Sequence, residues 1–226
     1  MTASTAVHSN AFSFMSFLTS GVDPRTGQYT VSIRFPEVPA NDLQGPALPL
    51  GLFFSPLNST DSGYGKGWNL QLSQVDYHID PVSNKTFEIV SLHTGETFCL
   101  TGEIPDPVTG LRRLTMKEQK LASFHLYPLL ASQGLQRYKV AHRSGLVEIL
   151  QQVETGKPAL PVEVYSAEGH KLILSYVRSS REGRPWRLHT ITDAAGVILL
   201  RLDDFADTKE TGVKVRYRPT SSSELA

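Results

Sequence analysis

Three glycines lie at alternate positions directly before a tryptophan in the stretch SGYGKGWNLQLS, residues 62–73. A glycine-rich loop of this kind can cradle a phosphate when a helix begins behind it, because the helix N-terminus supplies unpaired N–H groups. Here Gly67 is followed by WNLQLSQVDYHI, whose apolar residues alternate as in a strand, and Lys66 is not part of a G-K-[ST] sequence. The pattern therefore predicts a tight backbone passage that lets the Trp68 ring pack at the start of a strand.

The other chemically reactive side chains form no recognisable catalytic or metal-binding motif. No histidine pair has H-x-x-x-H or H-E-x-x-H spacing, and no G-x-S-x-G sequence occurs. A glycosidase would need two carboxylates facing each other within about 10 Å across a cleft. Carboxylates that could serve fall at polar positions of strand patterns, where solvated side chains are ordinary: Glu88, Glu96, Glu148 and Glu163. The sequence thus predicts no enzyme, no metal ligands and no cofactor, and a hydrolase stays the third interpretation.

Aromatic side chains make a binding surface the stronger alternative. Such rings offer flat apolar faces to sugars or to the apolar groups of a partner. The candidates are Tyr64, Trp68, Tyr77, Tyr165 and Trp186. The competing interpretation is that most of them pack in the core or on strand faces. Trp186 lies between Arg184-Pro185 and Arg187, which favours a cation–π contact with a structural role.

Composition excludes several function classes. The 226 residues carry 22 basic and 22 acidic side chains, which argues against an electrostatic grip on nucleic acid or on an anionic membrane. A single cysteine, Cys99, rules out an internal disulfide framework and is expected to be a small buried apolar residue. The apolar run at 11–18 is too short to span a bilayer, and no basic residue precedes it as in a signal peptide.

Strand periodicity dominates the chain. The apolar residues of QYTVSIRF fall on one face of a half-buried strand: Tyr29, Val31, Ile33 and Phe35. The same alternation recurs at Phe87/Ile89, Phe124/Leu126, Tyr138/Val140, Val147/Ile149, Val162/Val164, Leu172/Leu174/Tyr176, Ile198/Leu200/Leu202 and Val213/Val215/Tyr217. Turn residues separate these runs at intervals of about ten residues. The sequence predicts an all-β fold in which consecutive antiparallel hairpins form a curved sheet, of shell-wall or open-barrel type, with at most one short helix.

Turn motifs repeat between the strands. The form D-P-x-[ST]-[GN] starts at Asp23, Asp80 and Asp106 and ends at Gly27, Asn84 and Gly110. In it the aspartate accepts backbone N–H groups, proline pre-sets φ and the last residue takes a positive φ, as in a hairpin loop of four or five residues. A second series places Gly145, Gly169 and Gly196 before apolar strands, as stacked hairpins would.

Two local irregularities are predicted. Trp68, Leu70 and Leu72 share one strand phase whereas Val75 and the alternate residues after it take the other, so a bulge or bend is expected near Ser73–Gln74. Residues 115–118 fit a capping box, which predicts one short helical turn there. In domain terms, residues 1–10 are expected to be disordered, 11–218 to form a single β-rich region and 219–226 a tail.

Two segments carry a family resemblance. SNAFSFMSFLTSGVDPRTGQYTVSI and GPALPLGLFFSPLNSTDSGYGKGWNLQLSQ resemble the N-terminal part of bacterial Rhs/YD-repeat proteins, through residues 21–29, Leu48-Pro-Leu50 and Gly63-x-Gly-x-Gly-Trp68 with Leu70. ITDAAGVILLRLDD resembles a degenerate YD repeat, with Asp193 and Gly196 in the places of that motif's Asp and Gly. The likeness runs from about residue 10 to 205, and the degenerate repeats fill about 137–205.

The resemblance implies a β-sheet that coils into a hollow shell around a C-terminal toxic domain. It also implies partners: further Rhs-repeat chain, a toxin domain, and a component of a secretion apparatus or toxin complex. Export without a cleaved signal peptide, by a type VI or toxin-complex route, would follow from the bacterial cytoplasm. A chain of this length cannot close such a shell alone, so the resemblance implies a structural wall segment without catalytic activity. The alternative is a stand-alone carbohydrate- or partner-binding β module.

Overall fold

The fold is built from β-strands alone in the part of the chain that is described. The computed structural model describes residues 17–22, 24, 27–36, 40, 45–59, 61–80, 82–119, 123–179, 183, 185–206 and 211–218. Its strands are β1 (Leu18–Val22), β2 (Tyr29–Arg34), β3 (Gly51–Phe54), β4 (Trp68–Leu70), β5 (Gln74–Ile79), β6 (Thr86–Ser91), β7 (Thr97–Pro105), β8 (Arg112–Met116), β9 (Phe124–Ser132), β10 (Leu135–His142), β11 (Val147–Gln152), β12 (Ala159–Tyr165), β13 (Lys171–Arg178), β14 (Trp186–Asp193), β15 (Ile198–Ala206) and β16 (Thr211–Tyr217). The predicted all-β class is confirmed. Within these residues no helix exists that could cross a lipid bilayer.

The strands form two antiparallel sheets. The smaller sheet has the order β1-β2-β3-β4, and the larger has the order β11-β10-β9-β8-β7-β6-β5-β12-β13-β14-β15-β16. Because β11 also pairs with β12, strands β5 to β12 close into an eight-stranded barrel, and β13 to β16 extend from it. The barrel closes through one bridge between Val75 and Ala159. The predicted curved sheet of consecutive hairpins is confirmed.

The barrel interior forms one of two hydrophobic cores. Its buried residues include Val75, Val90, Leu92, Leu114, Phe124, Leu126, Tyr138, Val140, Leu150 and Ala159. The expected inward face was wrong on two strands, since Phe87/Ile89 and Val147/Ile149 are only half-buried while Val90 and Leu150 point inward. Both faces of these strands carry apolar residues, so alternation alone did not distinguish the interior from the outer face.

The second core lies between the smaller sheet and the extension of the larger one. Leu50 lies directly before β3 and Leu70 at the end of β4 in the smaller sheet. Both share a cluster with residues of β12 to β15: Val164, Leu172, Leu174, Leu188, Ile191, Leu199, Leu200 and Leu202. A sheet that is covered on one face in this way buries its alternate residues. The smaller sheet is therefore held by the barrel's extension.

The predicted irregularity at Ser73–Gln74 is the passage from one sheet to the other. Strand β4 ends at Leu70 and β5 begins at Gln74. Leu70 and Leu72 pack in the second core, whereas Val75 lies in the barrel core. The Leu72 N–H donates to the Leu70 carbonyl at 3.0 Å, so the chain turns sharply here. The change of phase follows from the change of partner sheet rather than from a bulge within one strand.

The helical turn expected at residues 115–118 is wrong. Thr115 belongs to β8 and pairs with Gly102 of β7. Glu118 has a φ of 61°, a left-handed turn conformation. Pairing with β7 satisfies the backbone groups that a capping box would otherwise serve, so the local signal is overridden by the sheet.

Candidate functional site

The backbone N–H groups of the glycine loop before Trp68 are hydrogen-bonded to a carboxylate of the same chain. Gly63, Gly65 and Gly67 have φ values of 94°, 107° and 86°, in the region that favours glycine. Asp61 Oδ1 accepts the N–H groups of Gly63 at 2.8 Å and of Gly65 at 3.0 Å. A strand, not a helix, follows the loop. The N–H groups that a phosphate would need are therefore turned inward, and the loop is part of the architecture.

Close packing explains the last glycine of the loop. A Cβ at Gly67 would lie 2.6 Å from Phe54 Cε2 and 3.1 Å from the Ser55 carbonyl. The Phe54 and Trp68 rings pack with their centroids 5.4 Å apart. Trp68 thus begins β4 against β3, in the arrangement that the sequence predicts.

A pocket of about 540 Å³ lies beside this loop, between the smaller sheet and the loop that joins β11 to β12. Two of the predicted aromatic residues line it, Tyr64 and Trp186. Apolar residues make up much of the rest of the wall, among them Leu70, Leu72, Pro158, Leu160, Pro185 and Leu188. Lys157, Arg178, Arg187 and Asp61 also line the pocket. Because Arg178 pairs with Glu154 and Arg187 with Asp204, the lining fits a largely apolar group with a polar end.

Trp186 is clamped at the pocket wall. Its Nε1–H donates to Glu154 Oε2 at 3.1 Å, and Arg178 Cζ lies 5.1 Å from the ring centroid. Arg178 also forms an ion pair with Glu154. The predicted cation–π contact therefore exists, but its cation is Arg178 on β13. Arg178 stands opposite Trp186 in the ladder, whereas Arg187 points to the other face of β14.

Tyr64 and Arg187 also line the pocket, and hydrogen bonds fix both side chains. The Tyr64 hydroxyl accepts the Leu188 N–H at 3.3 Å, and burial raises the pKa of Tyr64. Arg187 is 3% exposed and donates from Nε to Asp204 Oδ1 at 2.9 Å. These hydrogen bonds hold the glycine loop against β14. The loop packs so closely there that a Cβ at Gly63 would lie 2.9 Å from Arg187 Cβ.

The remaining predicted aromatics do not line the pocket. Tyr77 points into the barrel, where its hydroxyl lies 3.3 Å from that of Tyr138. Tyr165 donates to Glu163 Oε2 at 3.0 Å on β12. Trp68 packs on Phe54. The five predicted aromatics therefore form no continuous platform; of them Tyr64 and Trp186 face a common space, together with Tyr176.

The two D-P turns whose aspartates are described close hairpins as their chemistry predicts. Asp106 Oδ1 accepts the N–H groups of Val108 at 3.0 Å and Thr109 at 2.9 Å, and these hydrogen bonds lower the pKa of Asp106 to about 2. Asp80 Oδ1 accepts the Val82 N–H at 2.9 Å. The closing residues Gly27, Asn84 and Gly110 have φ values of 68°, 53° and 68°. Asp23 lies outside the described residues.

Gly145, Gly169 and Gly196 end equivalent three-residue hairpin loops. Each donates its N–H to the carbonyl three residues before it, at 3.0 to 3.1 Å, and each has a φ between 80° and 90°. Gly95 makes the same contact with the Leu92 carbonyl at 2.8 Å. The loop between β6 and β7 is thus a fourth example, which the sequence series did not include.

A buried cluster of His93, His142 and Glu148 lies at one end of the barrel and was missed from the sequence. The expectation that Glu148 is a solvated carboxylate is wrong, because its side chain is 0% exposed. Its Oε1 lies 2.6 Å from His142 Nε2, 3.3 Å from His93 Nδ1 and 2.8 Å from the donating Ser73 Oγ. Burial by itself raises the pKa of Glu148, but the hydrogen bonds from His142, His93 and Ser73 together lower it to about 2.

One part of this cluster could have been found from the sequence. Glu148 pairs with Val140 across the hairpin, which places His142 diagonal to Glu148 on the same face. The hairpin loop at Gly145 is readable in the sequence, so this proximity was predictable. Ser73 and His93 reach Glu148 only because the barrel closes, and barrel closure is not encoded in local spacing.

Sequence comparison gives no match: no family model and no curated protein resembles the chain at a significant level. Solved structures do share its arrangement. The N-terminal domain of effector protein SpvB from Salmonella typhimurium strain LT2 is similar with a TM-score of 0.52 at 12% identity, over 80% of this chain and 76% of that one. TcdB2-TccC3 is similar with a TM-score of 0.53 at 11% identity, over 87% of this chain and 12% of that one. TcdB2-TccC3-TEV gives 0.54 at 13% identity, over 91% and 13%.

The chain shares their fold. At these identities the likeness concerns the fold alone. The chain spans about three quarters of the SpvB domain and only about an eighth of the TcdB2-TccC3 chains. In the latter, the same architecture is thus one part of a much longer polypeptide.

Proposed function

We propose that this chain is a structural wall segment from the N-terminal part of an Rhs-type β-shell that encloses or helps deliver a C-terminal toxin, with no catalytic activity of its own. The proposal is supported by the resemblance of residues 9–33 and 45–74 to Rhs/YD-repeat proteins, and by a shared fold with segments of longer chains. Its partners would be further repeat-containing chain and the enclosed domain.

The outer edge of β16 is the observation that carries the proposal. Among the described strands, β16 pairs only with β15 and ends the order of the larger sheet. The Arg218 N–H donates to the Leu199 carbonyl at 2.9 Å. Because antiparallel strands alternate their hydrogen bonds, the N–H groups of Val213, Val215 and Tyr217 point away from β15. An edge of this kind is a template for the next strand of a growing sheet.

Amide hydrogen exchange tests the proposal. The 226-residue chain is compared with a longer product of the same reading frame. The outward amides of Val213, Val215 and Tyr217 should exchange quickly in the short chain and be slowed by at least about 100-fold in the longer one, because a following strand covers them. A reading frame that stops at Ala226, or outward amides that stay equally fast, would contradict the proposal.

A pair of variants at Tyr217 provides the control. Tyr217→Ala removes the half-exposed side chain, whereas Tyr217→Pro also removes the outward N–H without touching a hydrogen bond to β15. In the longer product, the proline variant should melt at a lower temperature than the alanine variant. In the 226-residue chain, the two should melt alike.

The pocket favours a second candidate function, a carbohydrate- or partner-binding module. Its wall combines the Trp186 ring with apolar residues and the guanidinium of Arg178. Trp186→Ala should abolish binding on a glycan array or to a candidate partner, because it removes the ring that faces the space. Trp68→Ala is the matched control and should keep binding, since this ring packs on Phe54. An array on which neither the wild type nor any variant binds removes this candidate.

A further inference from the structure

The cluster of Ser73, His93, His142 and Glu148 joins three segments that are distant in sequence. Ser73 lies in the passage between the two sheets, His93 in the loop between β6 and β7, and His142 and Glu148 face each other across the β10–β11 hairpin. The ligand atoms of His93, His142 and Glu148 all lie within 4.8 Å of one another. Their side chains are 11%, 9% and 0% exposed. The cluster is thus compact and nearly sealed from solvent.

One atom of the cluster lacks a partner. Glu148 Oε2 is buried and has no hydrogen-bond partner among the described residues. An ionised carboxylate that is removed from water needs a compensating positive charge, and an unsatisfied oxygen adds to the cost. Oε1 also accepts from Ser73, so the carboxylate as a whole has unused acceptor capacity that a bound cation would take up.

The donor set decides which cation would suit the cluster. Two imidazole nitrogens and one carboxylate oxygen form a set that binds Zn²⁺, whereas Ca²⁺ and Mg²⁺ prefer oxygen ligands alone. In a tetrahedral zinc site the ligand atoms are separated by about 3.3 Å, which follows from metal–ligand distances of about 2.0–2.1 Å. His93 Nδ1 and Glu148 Oε1 are already 3.3 Å apart. His142 Nε2 and Glu148 Oε1 are 2.6 Å apart and would have to separate by about 0.7 Å to reach the same spacing, which small side-chain rotations allow.

The hydrogen bonds around Ser73 orient two of the ligands. Its Oγ donates to Glu148 Oε1 and accepts the His93 backbone N–H at 3.0 Å. Groups that hold metal ligands in this way restrict their rotation and raise affinity. The same contacts would also serve a plain hydrogen-bonded ion pair between Glu148 and a protonated histidine, which is the competing explanation.

We propose that His93, His142 and Glu148 form a Zn²⁺ site, oriented by Ser73, that ties the β6–β7 and β10–β11 hairpins at one end of the barrel. The chain supplies three ligands, and water takes the fourth position. A metal that binds the folded barrel and not the unfolded chain stabilises the fold.

The test titrates ZnCl₂ into the metal-free 226-residue chain and follows binding by calorimetry and thermal melting. One equivalent of Zn²⁺ should bind and raise the melting temperature, and MgCl₂ should not. His142→Gln and Glu148→Gln should weaken Zn²⁺ binding by at least about tenfold, since perturbing even the groups that orient metal ligands has effects of this size. His78→Gln is the matched control, because His78 is exposed and stacks on Phe87.

Two measurements keep the test decisive if the Glu148 variant does not fold. His93→Gln changes a residue in a hairpin loop and should weaken Zn²⁺ binding without loss of the fold. X-ray absorption at the zinc edge of the wild-type protein should show two imidazole ligands. The proposal is overturned if the melting temperature does not respond to Zn²⁺, as the ion-pair explanation requires, or if the His78 and His142 variants bind Zn²⁺ equally.

Discussion

Replacing Arg187 by methionine is expected to lower the free energy of unfolding by about 3–5 kcal/mol, the usual cost of breaking a buried charge pair from one side. The guanidinium is almost completely buried and donates to Asp204, to the Leu188 carbonyl at 3.1 Å and to the Leu202 carbonyl at 2.9 Å. Methionine keeps much of the side-chain volume but removes the buried donor that serves all three acceptors. Denaturant unfolding followed by circular dichroism measures the loss.

Arg112→Met provides the control for this prediction. Arg112 also pairs with a carboxylate, that of Glu103, but its side chain is 73% exposed. Exposed ion pairs contribute about 0–1 kcal/mol because water competes for both charges. If both variants lost the same stability, the network around Arg187 would have no special weight in holding β14 to β15.

Gly67→Ala is expected to cost about 2–5 kcal/mol. A non-glycine residue in the left-handed region adds about 1–2 kcal/mol, and overpacking against the Phe54 ring and the Ser55 carbonyl adds about 1–3 kcal/mol. The clash is not relieved by a flexible side-chain end, because a ring and a carbonyl are involved. Thermal and denaturant unfolding should both show the loss.

Gly65→Ala separates the two contributions to this cost. Gly65 also has a positive φ, but the nearest atom to an added Cβ is Trp68 Cδ1 at 3.6 Å, which is ordinary contact. The Gly65 variant should therefore lose less stability than the Gly67 variant. The reverse order would mean that backbone conformation, and not contact with Phe54, determines the choice of glycine at 67.

Turns and strand starts could be predicted from the sequence where the residues that specify them are neighbours in the chain. The D-P turns, the glycine loops and the strand start at Trp68 are each specified by neighbouring residues, and the structure places them as turns and a strand. The capping box at Thr115 misled because a neighbouring strand competed for the same backbone groups.

Side-chain partners and burial that depend on the pairing of distant strands could not be predicted from the sequence. The choice of Arg178 over Arg187 as the partner of Trp186 depends on the β13–β14 register. The burial of Glu148 depends on which face of β11 becomes the barrel interior, and both faces offered apolar residues. Single-strand alternation carries no information about either choice.

The bridge between Val75 and Ala159, which closes the barrel, differs from the hairpins in how far apart its residues are in sequence. Each hairpin joins residues that are close along the chain, whereas this bridge joins two strands with six others between them in sequence, and loop-closure entropy grows with that separation. A chain that has formed all its hairpins from β5 to β12 is therefore still an open sheet. Rolling it into a cylinder is a distinct and slower event, since non-local contacts form late and slowly.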